Sequence, residues 1–272
     1  ESLICAGVGM ETPARDIIQI ARKSRRLTSA DSLGRLTEEI DSYLKRLFPL
    51  CRSITGEPNR QTLHALQEIV PLTIHEVPTG TDVYDWTIPD EWTIRDAWIA
   101  DETGRRIVDF HASNLHVVSY SVPVNTVMGW SELQPRLHRH PTLPNATPYR
   151  TSYYKRDWGF CVTHGQYTEM EKQQGPFTVV IDSDLKPGTL SYGELLISGR
   201  SSQEILLSCY ICHPSMANDS LSGLLLTAFL ARYITGLKDR HWSYRIVFVP
   251  ETIGAITYCA RNEAAMKRID TG

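Results

Sequence analysis

Two apolar runs decide the fold of this chain, Glu204-Ile-Leu-Leu-Ser-Cys-Tyr-Ile-Cys-His213 and Tyr244-Arg-Ile-Val-Phe-Val-Pro-Glu251. Their length and their β-branched and aromatic residues are typical of buried strands. Between them, a polar segment starting at Asn218 is followed by apolar residues at helical spacing. This order predicts a βαβ unit whose strands are parallel and whose crossover is right-handed.

Three residues suited to metal chemistry lie at one edge of the predicted sheet. His213 and Glu251 end the two strands, and Asp219 lies at the N-terminus of the helix on the same edge, where parallel sheets bind ligands. Histidine nitrogen and carboxylate oxygen are ligands of hydrolytic zinc, and a nearby carboxylate can remove a proton from zinc-bound water. We therefore expect His213 and Asp219 as zinc ligands and Glu251 as the general base. A simpler interpretation stays open, because such residues are often only hydrogen-bonded or cap a helix.

The same strand contains a rival motif, Cys209-Tyr-Ile-Cys212-His213, which has the spacing of c-type haem attachment. Haem attachment of this kind belongs to exported proteins, whereas this motif lies in an apolar strand and the first residues do not resemble a signal peptide. A structural site with four thiolates would need a second cysteine pair. We expect free thiols at all six cysteines, which are Cys5, Cys51, Cys161, Cys209, Cys212 and Cys259.

The composition is that of an ordinary globular protein. Of the 272 residues, 42% are hydrophobic and 22% are charged, and the formal net charge is −3. This charge gives no reason to expect nucleic acid or an anionic membrane as a partner. No apolar run approaches the length of about 20 residues that a membrane span requires. We expect a cytoplasmic protein.

Further elements are predicted on the N-terminal side of the βαβ unit. Apolar residues recur at helical spacing over residues 31–47, and a second helix extends over about residues 59–70. Residues 72–77 alternate like a strand. Residues 1–30 contain a basic cluster at 22–26 and are expected to form a flexible or helical leader, to which we assign no function.

Residues 80–195 have a different pattern, in which short β-type runs alternate with turn residues. This predicts a β-rich domain inserted into an α/β core of residues 31–79 and 196–272, whose mostly parallel sheet is flanked by helices. Five of the six tryptophans lie in the insertion. The insertion either covers the carboxyl edge of the sheet and contacts substrate, or its aromatic residues form only a small core of their own.

Six separated motifs resemble a bacterial aminopeptidase-like family of unannotated function, whose members often occur in polysaccharide or natural-product gene clusters. The motifs include Cys212-His-Pro-Ser-Met-Ala-Asn-Asp-Ser-Leu-Ser-Gly223 and Pro250-Glu-Thr-Ile-Gly254, and the others are residues 50–56, 85–92, 151–161 and 192–197. The resemblance covers residues 35–272. It implies a zinc aminopeptidase-like α/β fold with an inserted β domain, His213 and Asp219 as zinc ligands, and Glu251 as the acid/base residue.

Arg52 lies in the loop of the first motif, and the resemblance motivates a role for it in substrate binding. Its guanidinium has the geometry to clamp a carboxylate or a phosphate through two hydrogen bonds. The alternative is that Arg52 pairs with a structural carboxylate or caps a helix.

The chain departs from the wider di-zinc aminopeptidases at two positions that there carry metal-shell carboxylates. Ser215 stands two residues after His213, where those enzymes have Asp, and Thr252 follows Glu251, where they have a second Glu. We therefore expect one zinc ion rather than two. The resemblance places the remaining ligand beyond Gly272, so the third ligand is expected from outside residues 1–272 or from solvent. The resemblance also places further sheet strands beyond Gly272. The hydrophobic sheet edge that is exposed without these strands would favour a homo-oligomer or association with the downstream part.

Two classes of function follow from the sequence. The first is a zinc-dependent hydrolase that cleaves a peptide or amide bond in a small peptide or an amino-acid conjugate. The second is a non-catalytic binding or scaffold protein on the same fold, within a polysaccharide or natural-product biosynthetic pathway.

Overall fold

The structure, a computed structural model, describes residues 30–272. The strands are β1 (Thr73–Pro78), β2 (Asp82–Val83), β3 (Trp86–Thr87), β4 (Glu91–Ala100), β5 (Arg106–Asp109), β6 (Val124–Met128), β7 (Leu137–His138), β8 (Phe160–Cys161), β9 (Phe177–Lys186), β10 (Thr189–Ile197), β11 (Glu204–Tyr210), β12 (Ser243–Val249) and β13 (Ile269–Thr271). The helices are α1 (Ala30–Leu47), α2 (Glu57–Gln67), α3 (Trp130–Leu133), α4 (His164–Gln173), α5 (Ser222–Thr235), α6 (Ile253–Arg261) and α7 (Glu263–Met266).

The larger sheet contains five strands in the order β1-β10-β12-β11-β13. β11 is parallel to β12, with Ile205 opposite Tyr244 and Cys209 opposite Phe248, and it is also parallel to β13. Because α5 connects β11 with β12, the predicted βαβ unit is present. β12 is buried along nearly its whole length, as expected of an apolar strand inside a sheet.

The expectation of a mostly parallel sheet is wrong, because β10 is antiparallel to both β1 and β12. The sheet is therefore mixed. β10 follows β9, a strand of the second sheet, after only Pro187 and Gly188. Its two partners in the larger sheet are distant in sequence, so the hydrophobic pattern does not reveal the direction in which β10 pairs.

The second sheet has four antiparallel strands in the order β5-β4-β9-β6. These strands lie between residues 91 and 186, within the segment predicted as an inserted β-rich domain. Residues 44–272 nevertheless form one compact unit. Trp92 and Phe160 belong to the same buried hydrophobic cluster as Val247 and Val249 of β12, so the two sheets share a core.

The N-terminal elements follow the predicted pattern closely. α1, α2 and β1 occur where helical and alternating periodicity predict them, with boundaries that differ by at most three residues. α2 buries Leu63 and Leu66. It approaches β10 at Gly193, where an added Cβ would lie 2.8 Å from Leu63 Cδ2. The predicted leader and its basic cluster at 22–26 lie outside the described residues.

Two further expectations concern cysteines and membranes. Cys51, Cys161, Cys209, Cys212 and Cys259 are free thiols, as predicted, and Cys5 precedes the described part of the chain. Over residues 30–272, no helix combines the length and the apolar character that crossing a membrane requires.

Candidate metal centre

The structure brings His213, Asp219 and Glu251 together at one edge of the larger sheet. His213 lies three residues after the end of β11, and Glu251 lies two residues after the end of β12. Asp219, expected at the N-terminus of α5, lies directly before that helix in the turn Ala217–Leu221, with non-helical φ and ψ of −120° and 93°. The Asp219–Ser220 peptide bond in this turn is cis.

The imidazole of His213 lies between the two carboxylates. His213 Nδ1 is 3.2 Å from Asp219 Oδ1, and His213 Nε2 is 3.1 Å from Glu251 Oε2. The His213 side chain is only 6% exposed, whereas the side chains of Asp219 and Glu251 are 62% and 41% exposed. A buried imidazole with an accessible acidic group on each side is well placed to bind a cation that enters from solvent.

The two ring nitrogens of His213 differ in their hydrogen bonding. Nε2 forms a hydrogen bond with Glu251 Oε2. Nδ1 is buried and has no hydrogen-bond partner, because its short contact with Asp219 lacks the required geometry. Two ligands of a tetrahedral zinc ion, each about 2.0–2.1 Å from the metal, are themselves roughly 3.3 Å apart. The 3.2 Å separation of Nδ1 and Oδ1 therefore fits an ion held between these two atoms.

Cys212 is a possible ligand that the sequence interpretation missed. Ligand atoms of Cys212, His213 and Glu251 all lie within 4.8 Å of one another. The thiol sulfur accepts a hydrogen bond from the Glu251 backbone N–H at 3.1 Å, and burial raises the pKa of Cys212 to about 12. The thiol is therefore neutral unless a bound cation promotes its ionisation. Sequence reasoning considered Cys212 only as part of a c-type haem motif or a four-thiolate site, and with both set aside it expected a free thiol.

Arg52 occupies a different position from the predicted substrate clamp. It is 1% exposed, and its guanidinium donates to the His213 carbonyl through Nε at 3.1 Å and Nη2 at 2.8 Å, and to the Leu47 carbonyl through Nη1 at 2.5 Å. Burial lowers the pKa of Arg52 to about 10, so the group stays charged near neutral pH. Because three of its donors are already bonded to backbone oxygens, Arg52 supports the His213 backbone and is not presented to a ligand.

Tyr149, from the predicted insertion, packs against His213. The Tyr149 ring meets the imidazole edge-on with ring centroids 5.3 Å apart, and the Tyr149 and Tyr153 hydroxyls are hydrogen-bonded to each other. Burial raises the pKa of both hydroxyls, which therefore stay protonated. Tyr149 follows Pro148 in an irregular segment, so no periodicity in the sequence could have indicated this contact.

The two positions that depart from the di-zinc pattern have unusual backbone conformations. Ser215 has φ of 43° and Thr252 has φ of 55°, in the left-handed region that residues other than glycine rarely adopt. Such conformations cost about 1 kcal/mol or more and cluster at functional sites. The Ser215 hydroxyl donates to the Phe48 carbonyl at 3.0 Å. The acidic groups in contact with His213 are Asp219 and Glu251.

The fold is that of the zinc aminopeptidases. A zinc aminopeptidase from Bacillus subtilis superposes with a TM-score of 0.54 over 85% of this chain and 67% of its own, at 10% identity. At this identity the likeness concerns the fold alone.

The chain belongs to the family described as "Domain of unknown function (DUF4910)", which matches residues 41–272. It is 48% identical over 234 residues, 86% of this chain, to a "Putative polysaccharide biosynthesis protein with aminopeptidase-like domain" from Clostridium acetobutylicum. A crystal structure of a "putative peptidase" from the same species superposes with a TM-score of 0.83 at 44% identity, over 94% of this chain. The chain spans 53% and 58% of the lengths of these two proteins. The predicted aminopeptidase-like resemblance is confirmed.

Proposed function

We propose that this chain forms the metal centre of a zinc-dependent aminopeptidase-like hydrolase, which cleaves a peptide or amide bond in a small amino-acid-containing substrate. His213 and Asp219 hold the ion, and Glu251 acts as the general base. One observation carries the proposal: the buried Nδ1 of His213 has no hydrogen-bond partner and faces a carboxylate oxygen at 3.2 Å. The fold, and the peptidase named among the similar structures, support the same class of chemistry.

Each residue has a distinct task in this proposal. A zinc ion, when bound, polarises a carbonyl group and lowers the pKa of a water molecule to about 7. Asp219 supplies negative charge next to Nδ1 of His213. Glu251 is partly exposed, so its carboxylate can take a proton from a water molecule and return it to the leaving amine. Tyr149 and Arg52 hold His213 from its ring edge and from its backbone.

We expect a single ion, because Ser215 and Thr252 stand where further acidic residues would be required for two. The third ligand remains a prediction outside residues 1–272, with the Cys212 thiol as the nearby alternative. A catalytic zinc usually has three protein ligands, so the identity of the third decides how tightly this chain alone retains the ion.

Elemental analysis after dialysis against trace zinc tests the proposal. The wild-type chain should retain up to one equivalent, and His213→Ala and Asp219→Asn should each lose most of it. His241→Ala is the matched control, because His241 is exposed and precedes β12 at the end opposite Glu251. Cys212→Ser should lower retention only if sulfur is the third ligand. Equal zinc content in the wild type and in both site variants would overturn the metal centre and favour a non-catalytic binding protein.

A further inference from the structure

A cavity, here called the basic cavity, shares no lining residue with the metal centre. Its volume is about 310 Å³, and its walls include Arg139, Arg150, His138, His140, His164 and Tyr167. No aspartate or glutamate lines it. In a chain whose formal net charge is −3, this concentration of basic groups is a local feature.

The two arginines of the basic cavity lack acidic partners, unlike most arginines of residues 44–272. Salt bridges elsewhere join Arg60 to Glu91, Arg95 to Asp182, Arg105 to Glu169 and Arg136 to Asp157. Over residues 30–272, neither Arg139 nor Arg150 has a carboxylate within salt-bridge distance. Both side chains are exposed and line one cavity without a counter-ion, which a bound anion would supply.

The exposed side chain of Arg139 contacts two neighbouring rings. Its guanidinium lies over the Tyr167 ring at 3.6 Å from the centroid, and Nη1 is 3.4 Å from the ring nitrogens of His164. The Tyr167 hydroxyl in turn accepts a hydrogen bond from Gln134 Nε2 at 3.0 Å. A guanidinium stacked on an aromatic face still presents its N–H groups at its edge, so less conformational entropy is lost when it binds an oxyanion.

One histidine adds a donor to the same wall, and a second lies close to Arg150. His140 Nδ1 accepts the backbone N–H groups of Thr142 and Leu143, at 3.3 and 3.0 Å, so the proton of this imidazole lies on Nε2. Burial, and then the nearby charge of Arg150, lower the pKa of His138. Asp157, the carboxylate that opposes this effect, is already bound to Arg136.

We propose that the basic cavity binds a phosphate group, either free or carried on a small organic molecule. A phosphate dianion matches the two arginine charges, and its several oxygens can accept hydrogen bonds from more than one donor of the lining. A single carboxylate would neutralise only one of the arginines. The cavity volume lies in the range of sites for small molecules, so there is room for a group attached to the phosphate. The inference does not depend on the proposed metal centre.

Isothermal titration calorimetry at low ionic strength and pH 7 tests this site, with inorganic phosphate, glucose 6-phosphate and glucose as the probes. The wild-type chain should bind both phosphates and not glucose. Arg139→Gln/Arg150→Gln should weaken binding by at least about tenfold, because two charge-assisted contacts are lost.

Arg261→Gln is the matched control, since it removes an exposed arginine without a carboxylate partner in the described chain and should leave the affinity unchanged. Arg139→Lys keeps the charge but not the planar fork, and should weaken phosphate binding by less than the double variant does. It replaces the double variant as the test if that variant does not fold.

The outcomes separate the two sources of phosphate. Tighter binding of glucose 6-phosphate than of inorganic phosphate identifies a phosphorylated small molecule, and equal binding identifies recognition of the phosphate group alone. Either result supports the proposal when the arginine variants are weakened. No binding of either probe to the wild-type chain, or equal binding to the wild type and to the arginine variants, overturns it.

Discussion

A histidine placed between two carboxylates can donate a proton to only one of them while it is neutral. At His213 the hydrogen bond is formed by Nε2 with Glu251, so the proton of the neutral imidazole lies on Nε2. Nδ1 then carries a lone pair and lies 3.2 Å from an oxygen of Asp219, which also carries only lone pairs. Two acceptors at this distance repel each other unless a cation lies between them. This argument gives Asp219 and Glu251 different roles, as ligand and as acid/base group.

The division of roles predicts the behaviour of a Glu251→Gln variant. Because glutamine cannot remove a proton, turnover of an aminoacyl anilide should fall by about 10²-fold or more, while zinc content stays near that of the wild type. Zinc analysis and steady-state kinetics on the same preparation provide the measurement. Glu102→Gln, in an exposed turn, is the control for a loss of charge. If Glu251→Gln loses zinc as completely as His213→Ala does, Glu251 is a ligand and its assignment as the base is wrong.

At the scale of elements, the edge that holds the metal centre depends on how closely α2 and the sheet approach each other. Gly193 of β10 faces α2, and a Cβ added there would lie 2.8 Å from Leu63 Cδ2 and 3.4 Å from Leu72 Cδ1. β10 is the strand that joins β1 to β12, and Glu251 follows β12. α2 thus packs on the strand next to the one that precedes the proposed base.

Gly193→Ala should consequently destabilise the protein. The added methyl group overpacks the contact with Leu63 and should lower the free energy of unfolding by roughly 1–3 kcal/mol. Urea denaturation followed by circular dichroism measures the change. Gly34→Ala is the matched control, because a Cβ at Gly34 meets nothing within 4 Å and alanine is favoured over glycine in a helix interior. A Gly193→Ala variant as stable as the wild type would show that α2 can move away from the sheet without cost.

Local pattern was sufficient to predict some elements and not others. The βαβ unit was predictable because the runs ending at His213 and Glu251 have strand length and the segment between them has helical periodicity. The antiparallel direction of β10 was not, because its neighbours β1 and β12 lie far away in sequence and pairing direction leaves no mark on the strand itself. At the site, strand ends indicated His213 and Glu251, whereas Tyr149 reaches His213 through an irregular segment whose path depends on the whole fold.

At the scale of the whole molecule, distant segments are joined by buried polar contacts as well as by the shared core. His116 lies in the short turn Asn114–His116, and its Nδ1 forms a hydrogen bond of 2.7 Å with the Cys161 carbonyl in β8. This side chain is buried, and desolvation lowers the pKa of His116 below its ordinary value. The folded protein therefore favours a neutral His116 that donates from Nδ1.

This shift predicts how stability depends on pH. The unfolded chain binds a proton at His116 below about pH 6.5, whereas the folded protein does so only at lower pH, so the unfolded state holds more protons in between. The contribution of neutral His116 is thus fully present above about pH 6.5 and is lost as the pH falls toward the folded-state pKa. For this one group the slope is at most about 1.4 kcal/mol per pH unit.

His116→Gln removes the titrating group and keeps a donor that can reach the Cys161 carbonyl, so it should flatten this part of the profile. Urea unfolding between pH 7.5 and 5 measures the free energy of unfolding of the wild type and the variant at each pH. His64→Gln, which changes an exposed histidine of α2, is the matched control, and the decisive quantity is the difference in slope between the two variants. Because the unfolded chains of both variants lose one histidine, any difference arises from the folded state. Identical slopes for His116→Gln and His64→Gln would show that burial of His116 does not make the folded protein sensitive to acid.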